Sequence, residues 1–146
     1  MKTYEYLIVG GGMVADAAAR GIRERDTEGT IGILSADIDP PYTRPALSKK
    51  LWTDPEFTWD QVPLGTTEET GAELHLETLV TAIDREAHTV TTADGDEIGY
   101  RRLLLATGST PRTVSVPEDD RILFFRSAAD YRRLRELTEI GGRAVV

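Results

Sequence analysis

Three consecutive glycines, Gly10-Gly11-Gly12, stand between a short apolar run, Tyr4 to Val9, and an alanine-rich stretch that opens at Met13. This order leaves the chain few ways to fold. The apolar run predicts a strand, the glycines a tight turn, and Met13 to Arg25 a helix with Val14, Ala17, Ala18 and Ile22 on one stripe. Thr30 to Ser35 is a second β-rich run. Ile31, Ile33 and Leu34 suit a strand buried on both faces, and Gly32 leaves room for something to pack closely on it. The outcome is a βαβ unit.

The unit carries the pattern Gly10-x-Gly12-x-x-Ala15, and each position has a physical reason. Gly10 permits the sharp exit from the strand, and Gly12 has no Cβ to keep the backbone from a pyrophosphate. Ala15 is small enough for helix and sheet to approach. The free N–H groups and positive partial charge at the helix start, around Gly11 to Met13, suit an anion. The pattern implies a dinucleotide cradle without choosing between FAD and NAD(P). Asp16, in the first turns, suits the helix dipole but would oppose a phosphate if it faced the ligand.

A dinucleotide site usually presents a carboxylate to the adenosine ribose at the tip of the second strand. Asp37 and Asp39 are the candidates, Asp37 being favoured by proximity; the alternative is that both are solvated loop residues. Pro40-Pro41 then stiffens the entry to a segment that holds Arg44, Lys49 and Lys50, with Pro45 opening a short helix through Lys49 or Leu51. Of 17 basic residues only three are lysine, so this segment concentrates two of them. It serves either to neutralise a phosphorylated cofactor and stabilise a reduced ring, or as a surface loop anchored by Tyr42, Leu47 and Leu51.

Farther along, Phe57 and Trp59 suggest aromatics docking an irregular segment, or a partner surface. Thr66 to Gly71 predicts a short helix, and Ala72 to Leu76 and Leu79 to Asp84 two strands, with Val80 and Ile83 pointing into a core. Residues 87–93 and 97–101 flank Asp94-Gly95 as a hairpin, and Leu103 to Leu105 re-enters the main sheet. Ala106-Thr107-Gly108 follows, where a parallel strand leaves the sheet and a cofactor would meet backbone. After an acidic turn over 117–120, Ser127 is a candidate N-cap for a helix with Tyr131, Leu134 and Leu137, closed by Gly141-Gly142. Arg143 to Val146 resembles the start of another strand.

Composition excludes other classes. At 146 residues the chain has room for one substantial core. A net charge of -8 argues against a nucleic-acid partner. Without cysteine there is no disulfide, thiolate metal site or redox-active thiol pair, and His75 and His88 without a third ligand are poor metal candidates. No apolar run long enough for a membrane span occurs, so the expectation is a cytoplasmic protein with no membrane partner. Ser109 lacks a histidine base and is no hydrolase nucleophile.

The glycine turn, Pro41-Tyr-Thr-Arg-Pro-Ala-Leu-Ser-Lys-Lys-Leu-Trp52 and Leu105-Ala-Thr-Gly-Ser-Thr-Pro111 together resemble the FAD-dependent pyridine nucleotide–disulfide oxidoreductase superfamily. The likeness is to its ferredoxin reductase, rubredoxin reductase and apoptosis-inducing-factor-like branch, and it runs over essentially the whole chain. It implies an α/β, Rossmann-like FAD-binding domain with a parallel sheet and a small antiparallel hairpin, incomplete at the C-terminus. Residues 1–140 would be the N-terminal part of that domain, and 141–146 the first strand of a missing NAD(P)H-binding domain.

By the same resemblance, Gly10, Gly11, Gly12, Met13 and Ala15 serve the pyrophosphate. Asp37, one place later than the family's usual acid because Ala36 intervenes, serves the ribose. Arg44 would lie near the phosphates and ribose, and Lys49 near the flavin. The backbone of Val80 would face the adenine, and Ala106, Thr107, Gly108 and Arg126 would lie beside FAD. NAD(P)H would be the co-substrate of the complete protein and a ferredoxin-like protein a candidate acceptor, with C-terminal domains or a complementing chain supplying the rest. No residue of this stretch is expected to act as a catalytic acid or base. Two other readings stay open: a non-catalytic nucleotide-binding or interaction fragment without reductase activity of its own, and an NAD-only Rossmann enzyme.

Overall fold

A computed structural model describes residues 1–117 and 119–145. These divide into two compact units, one of residues 1–43 and 63–108, the other of residues 44–62, 109–117 and 119–145. The first unit is built on a six-stranded mixed sheet in the order β3-β2-β1-β6-β5-β4. Its strands are β1 (Lys2–Val9), β2 (Ile31–Leu34), β3 (Glu73–His75), β4 (Val80–Asp84), β5 (Thr89–Thr92) and β6 (Glu97–Leu105). β3, β2, β1 and β6 run parallel, whereas β5 and β4 continue the sheet antiparallel. The α/β expectation therefore holds.

The hairpin is not a separate appendage, however. β6 is one continuous strand whose first residues pair with β5 through Glu97, Ile98 and Gly99, while Ile98 to Leu105 pairs with β1. The two short strands expected at 97–101 and 103–105 are one, because nothing between them breaks the ladder.

The helix α1 (Met13–Arg23) links β1 to β2. It rests on the sheet through Ala15 and Ala19, both fully buried against Ile8, Ile31 and Ile33. The opposite face of the sheet buries Tyr4, Leu7, Val9, Leu34, Val90 and Tyr100. Of the predicted stripe, Ala18 and Ile22 do pack against the Ile8, Ile31 and Ile33 cluster, whereas Val14 is 61% exposed and Ala17 is exposed too. Close approach of the helix to the sheet favours methyl groups, so Ala15 and Ala19 are the most deeply buried residues of the helix's contact face. Ile83, expected in the core, is exposed on the edge strand β4, while Val80 is half-buried and packs on the Tyr4–Leu7 cluster.

Gly32 does allow close packing. A Cβ there would meet the Tyr4 ring at 2.7 Å. Tyr4 thereby crosses β2 and reaches β3, where its hydroxyl donates to Glu73 and hydrogen-bonds His75 Nε2 at 2.7 Å. Burial, with Glu73 second, raises the Tyr4 pKa. His88 stacks on Tyr100 with ring centroids 5.3 Å apart. Both histidines thus have structural partners. The helix α3 (Thr66–Thr70), ended by Gly71 in the left-handed region at φ 64°, packs beside α1.

The second unit contains a 3-10 turn (Arg44–Ser48), the helix α2 (Lys50–Thr53), a second 3-10 turn (Trp59–Gln61) and the helix α4 (Ala128–Ile140). The short helix expected from Pro45 is thus split at Lys49. Ser127 caps α4, its Oγ accepting from the Asp130 N–H at 3.2 Å, while Asp130 accepts in return from the Ser127 N–H at 2.6 Å. Tyr131 joins the segments of this unit. Trp59 stacks on it at 5.7 Å, Trp52 meets it edge-on at 5.5 Å, and Arg135 donates to its hydroxyl at 2.9 Å. Gly141 ends α4, and residues 141–145 take no regular secondary structure. The expected strand over Arg143 to Val146 and the acidic turn over 117–120 each include a residue outside the described set. Among the described residues no helix is long and apolar enough to cross a membrane.

Candidate cofactor-binding site

The parallel sheet changes direction at β1: the chain moves to β2 on one side, whereas β6 returns on the other. The C-terminal ends of strands at such a switch point are where open α/β sheets admit ligands. The glycine turn leaves β1 at this place and is held from both sides. The Gly10 N–H donates to the Leu34 carbonyl at 2.7 Å, and the Ala106 N–H donates to the Val9 carbonyl at 2.7 Å.

Gly10 has φ 111°, a conformation that favours glycine, and a Cβ there would lie 2.6 Å from the Ala106 carbonyl carbon. A Cβ on Gly11 would lie 2.5 Å from the Cβ of Ser35. Two of the three glycines are therefore required by the neighbouring strand ends, before any ligand is considered. Gly12 is the N-cap of α1, with extended backbone and its carbonyl accepting the Asp16 N–H at 3.2 Å.

The start of α1 offers hydrogen-bond donors to a ligand. Its first N–H groups have no intrahelical acceptor, and among the described residues no side chain caps them. Met13 and Val14 are both exposed there. An uncapped helix end behind a glycine turn at the switch point suits a pyrophosphate. Ala15, deep against the sheet, provides the close packing its position in the pattern predicts.

Asp16 points elsewhere. It is buried, accepts from the Thr66 hydroxyl at 2.7 Å and takes the Arg20 Nε at 3.0 Å on both carboxylate oxygens. Arg20 also pairs with Glu69 and donates to the Leu64 carbonyl at 2.7 Å. The Glu69 and Asp16 carboxylates hold its guanidinium firmly protonated.

Asp37 is half-buried just beyond β2, and its Oδ1 accepts the Asp39 N–H at 3.3 Å. Asp39 is also half-buried, so neither is a fully solvated loop residue. On the other flank Ala106 is half-buried, Thr107 and Gly108 are exposed, and Gly108 adopts φ 68°. The first unit thus brings Gly10, Gly11, Gly12 and Met13 together with the strand ends leading to Asp37 and Ala106. Val80 lies at the start of the outer strand β4.

Within the second unit Arg44 donates to the Arg126 carbonyl at 2.6 Å, which joins two of the predicted residues, while Lys49 is exposed. Sequence reasoning missed Ser35. It is buried under Gly11, and its Oγ accepts the Asp37 N–H at 3.2 Å. A small polar residue closing an otherwise apolar strand was the available signal.

The sequence profile described as pyridine nucleotide-disulphide oxidoreductase matches residues 4–146. The chain belongs to this family. Its members are FAD-dependent and use NAD(P)H as substrate. Among relatives, the chain is 37% identical to an anthranilate 1,2-dioxygenase system ferredoxin–NAD(+) reductase component from Burkholderia cepacia, covering 100% of this chain and 37% of that protein. It is 31% identical to apoptosis-inducing factor 1, mitochondrial, from Dictyostelium discoideum, over 99% of this chain and 31% of the relative. The fold matches NADH:rubredoxin oxidoreductase from Clostridium acetobutylicum with a TM-score of 0.80 at 22% identity, covering 98% of this chain and 38% of that one. The chain thus spans well under half the length of these oxidoreductases. The family expectation agrees with these matches, the ferredoxin reductase and apoptosis-inducing-factor likeness in sequence and the rubredoxin reductase likeness in fold alone.

Proposed function

We propose that this chain is the FAD-binding part of an NAD(P)H-dependent oxidoreductase that passes electrons to a protein or small acceptor. The observation that carries the reading is the uncapped N-terminus of α1 behind the Gly10–Gly12 turn at the switch point. When bound, FAD supplies hydride acceptance and electron release. The residues of this chain supply position. Backbone N–H groups at Gly11 to Met13 donate to the pyrophosphate, and Asp37 accepts from the ribose. The backbone of Val80 serves the adenine, and that of Ala106, Thr107 and Gly108 contributes further contacts. Arg44, Lys49 and Arg126 are proposed cofactor residues on the strength of their sequence motif. A ferredoxin-like acceptor is proposed from the Burkholderia relative.

FAD titration of the chain, followed by quenching of flavin fluorescence, tests the cradle. Saturable binding is expected, and Gly12→Val should weaken it by more than about ten-fold, because a branched side chain blocks the approach of the pyrophosphate. Equal FAD affinity in Gly12→Val and the parent would refute the assignment. A second reading, a nucleotide-binding fragment without reductase activity of its own, is favoured by the 37% coverage of the Burkholderia relative. Flavin binding without bleaching by NADH or NADPH distinguishes it from a self-sufficient reductase.

A further inference from the structure

A buried carboxylate one turn into α1 is a poor neighbour for a pyrophosphate. Asp16 lies three residues beyond Met13, about 5 Å along the helix axis. A negative charge there counteracts the positive helix end that would attract the anion. Yet the carboxylate is neither exposed nor unpartnered: Thr66 and Arg20 both bind it, and Arg20 is itself fixed to Glu69 and the Leu64 carbonyl. All five residues belong to the first compact unit.

We infer that Arg20 and Thr66 form a charge screen for α1, holding Asp16 against α3 and offsetting its charge so that it weakens the positive helix end offered to a bound pyrophosphate less than a bare carboxylate would. The role rests on the proposal that α1 receives such a group. Arg20 and Thr66 are positioning residues here; neither is placed against the cofactor. At about 10 Å and an effective dielectric constant of about 40, an uncompensated charge weakens binding roughly four-fold per phosphate charge, and so on the order of ten-fold for two.

The test measures the affinities of the chain for FAD, ADP and adenosine in Arg20→Met, Arg20→Lys, Asp16→Asn and Asp16→Asn/Arg20→Met, with thermal midpoints alongside. Arg20→Met should lose about ten-fold in FAD and ADP affinity, less at high salt, and nothing in adenosine affinity. Arg20→Lys keeps the charge and should keep affinity within about two-fold, even though its midpoint falls. The double variant should recover most of the loss. A double variant as weak as Arg20→Met, an Arg20→Lys as weak as Arg20→Met, or an equal loss for adenosine overturns the screen. Failure of the parent to bind FAD or ADP removes the cradle reading, and the screen with it. Binding by the parent without recovery in the double variant removes the screen alone.

Discussion

Gly11→Ala tests whether the glycine turn is shaped by the protein itself. The added methyl would stand 2.5 Å from the Ser35 Cβ, about 1 Å inside ordinary contact, so something must move. Ser35 has little freedom to do so. It is 1% exposed, its N–H donates to the His75 carbonyl at 2.8 Å, and its carbonyl accepts the Thr78 N–H at 2.7 Å. Overpacking against so fixed a neighbour should cost about 2–3 kcal/mol.

Ser35→Gly removes both offending atoms at a cost of its own of about 1–2 kcal/mol, from the lost Asp37 hydrogen bond and the added backbone freedom. Gly11→Ala/Ser35→Gly should then be less destabilised than the sum of the single changes by about 2 kcal/mol. Gly10→Ala offers no such rescue, because the obstacle is the Ala106 backbone and φ is 111°; strain and overpacking together predict about 2–5 kcal/mol. Urea unfolding followed by far-ultraviolet circular dichroism gives these values. Trp52 and Trp59 lie in the other unit, so their fluorescence is the wrong probe. Additivity of Gly11→Ala and Ser35→Gly within about 0.5 kcal/mol would refute the packing argument.

Acid should unfold the protein partly through two hydrogen-bonded aspartates. Burial pushes Asp130 up, but hydrogen bonds from the Ser127 backbone and hydroxyl and the Arg126 backbone outweigh it, leaving its pKa below 3.8. The Gly29 and Glu28 N–H groups and the Tyr6 hydroxyl likewise lower Asp26 below 3.8. Their contribution is complete above the unfolded value and is lost as pH falls through the lower folded value. Denaturation curves between about pH 5 and pH 2 should therefore be flatter for Asp26→Asn and Asp130→Asn; slopes equal to the parent's would count against the assignment. Tyr131→Ala should lower stability by about 3 kcal/mol and alter tryptophan emission, since both Trp52 and Trp59 contact that ring. A denaturation midpoint within error of the parent would contradict its joining role.

Much of the first unit was legible because its signals are local. The run before Gly10, the glycines themselves, the alanines and the Asp94-Gly95 turn each fix a conformation within a few residues. The Ser127 cap was readable for the same reason. What escaped were facts set by partners distant in sequence. Val14 was misplaced because helical periodicity does not say which stripe meets the sheet, and the sheet selected Ala15 and Ala19. Asp16 looked like a dipole residue until Thr66, fifty positions away, supplied its partner. Ser35 was overlooked because its importance comes from Gly11 across the strand end. Ile83 alternates correctly, but it lies on an outermost strand, which the sequence does not announce.

The continuity of β6 makes one strand serve as a measuring rod. Its first residues are phased by the hairpin partner β5, and Ala106 follows directly at the other end. With a rise of about 3.3 Å per residue, inserting one residue between 97 and 105 would shift Ala106 by that distance and reverse which side chains face the core. Inserting it beside Gly95, outside the ladder, would do neither. Tolerance to insertion should therefore change abruptly within a few residues: the length of the turn is free, while the length of the strand is set by the glycine turn it must reach.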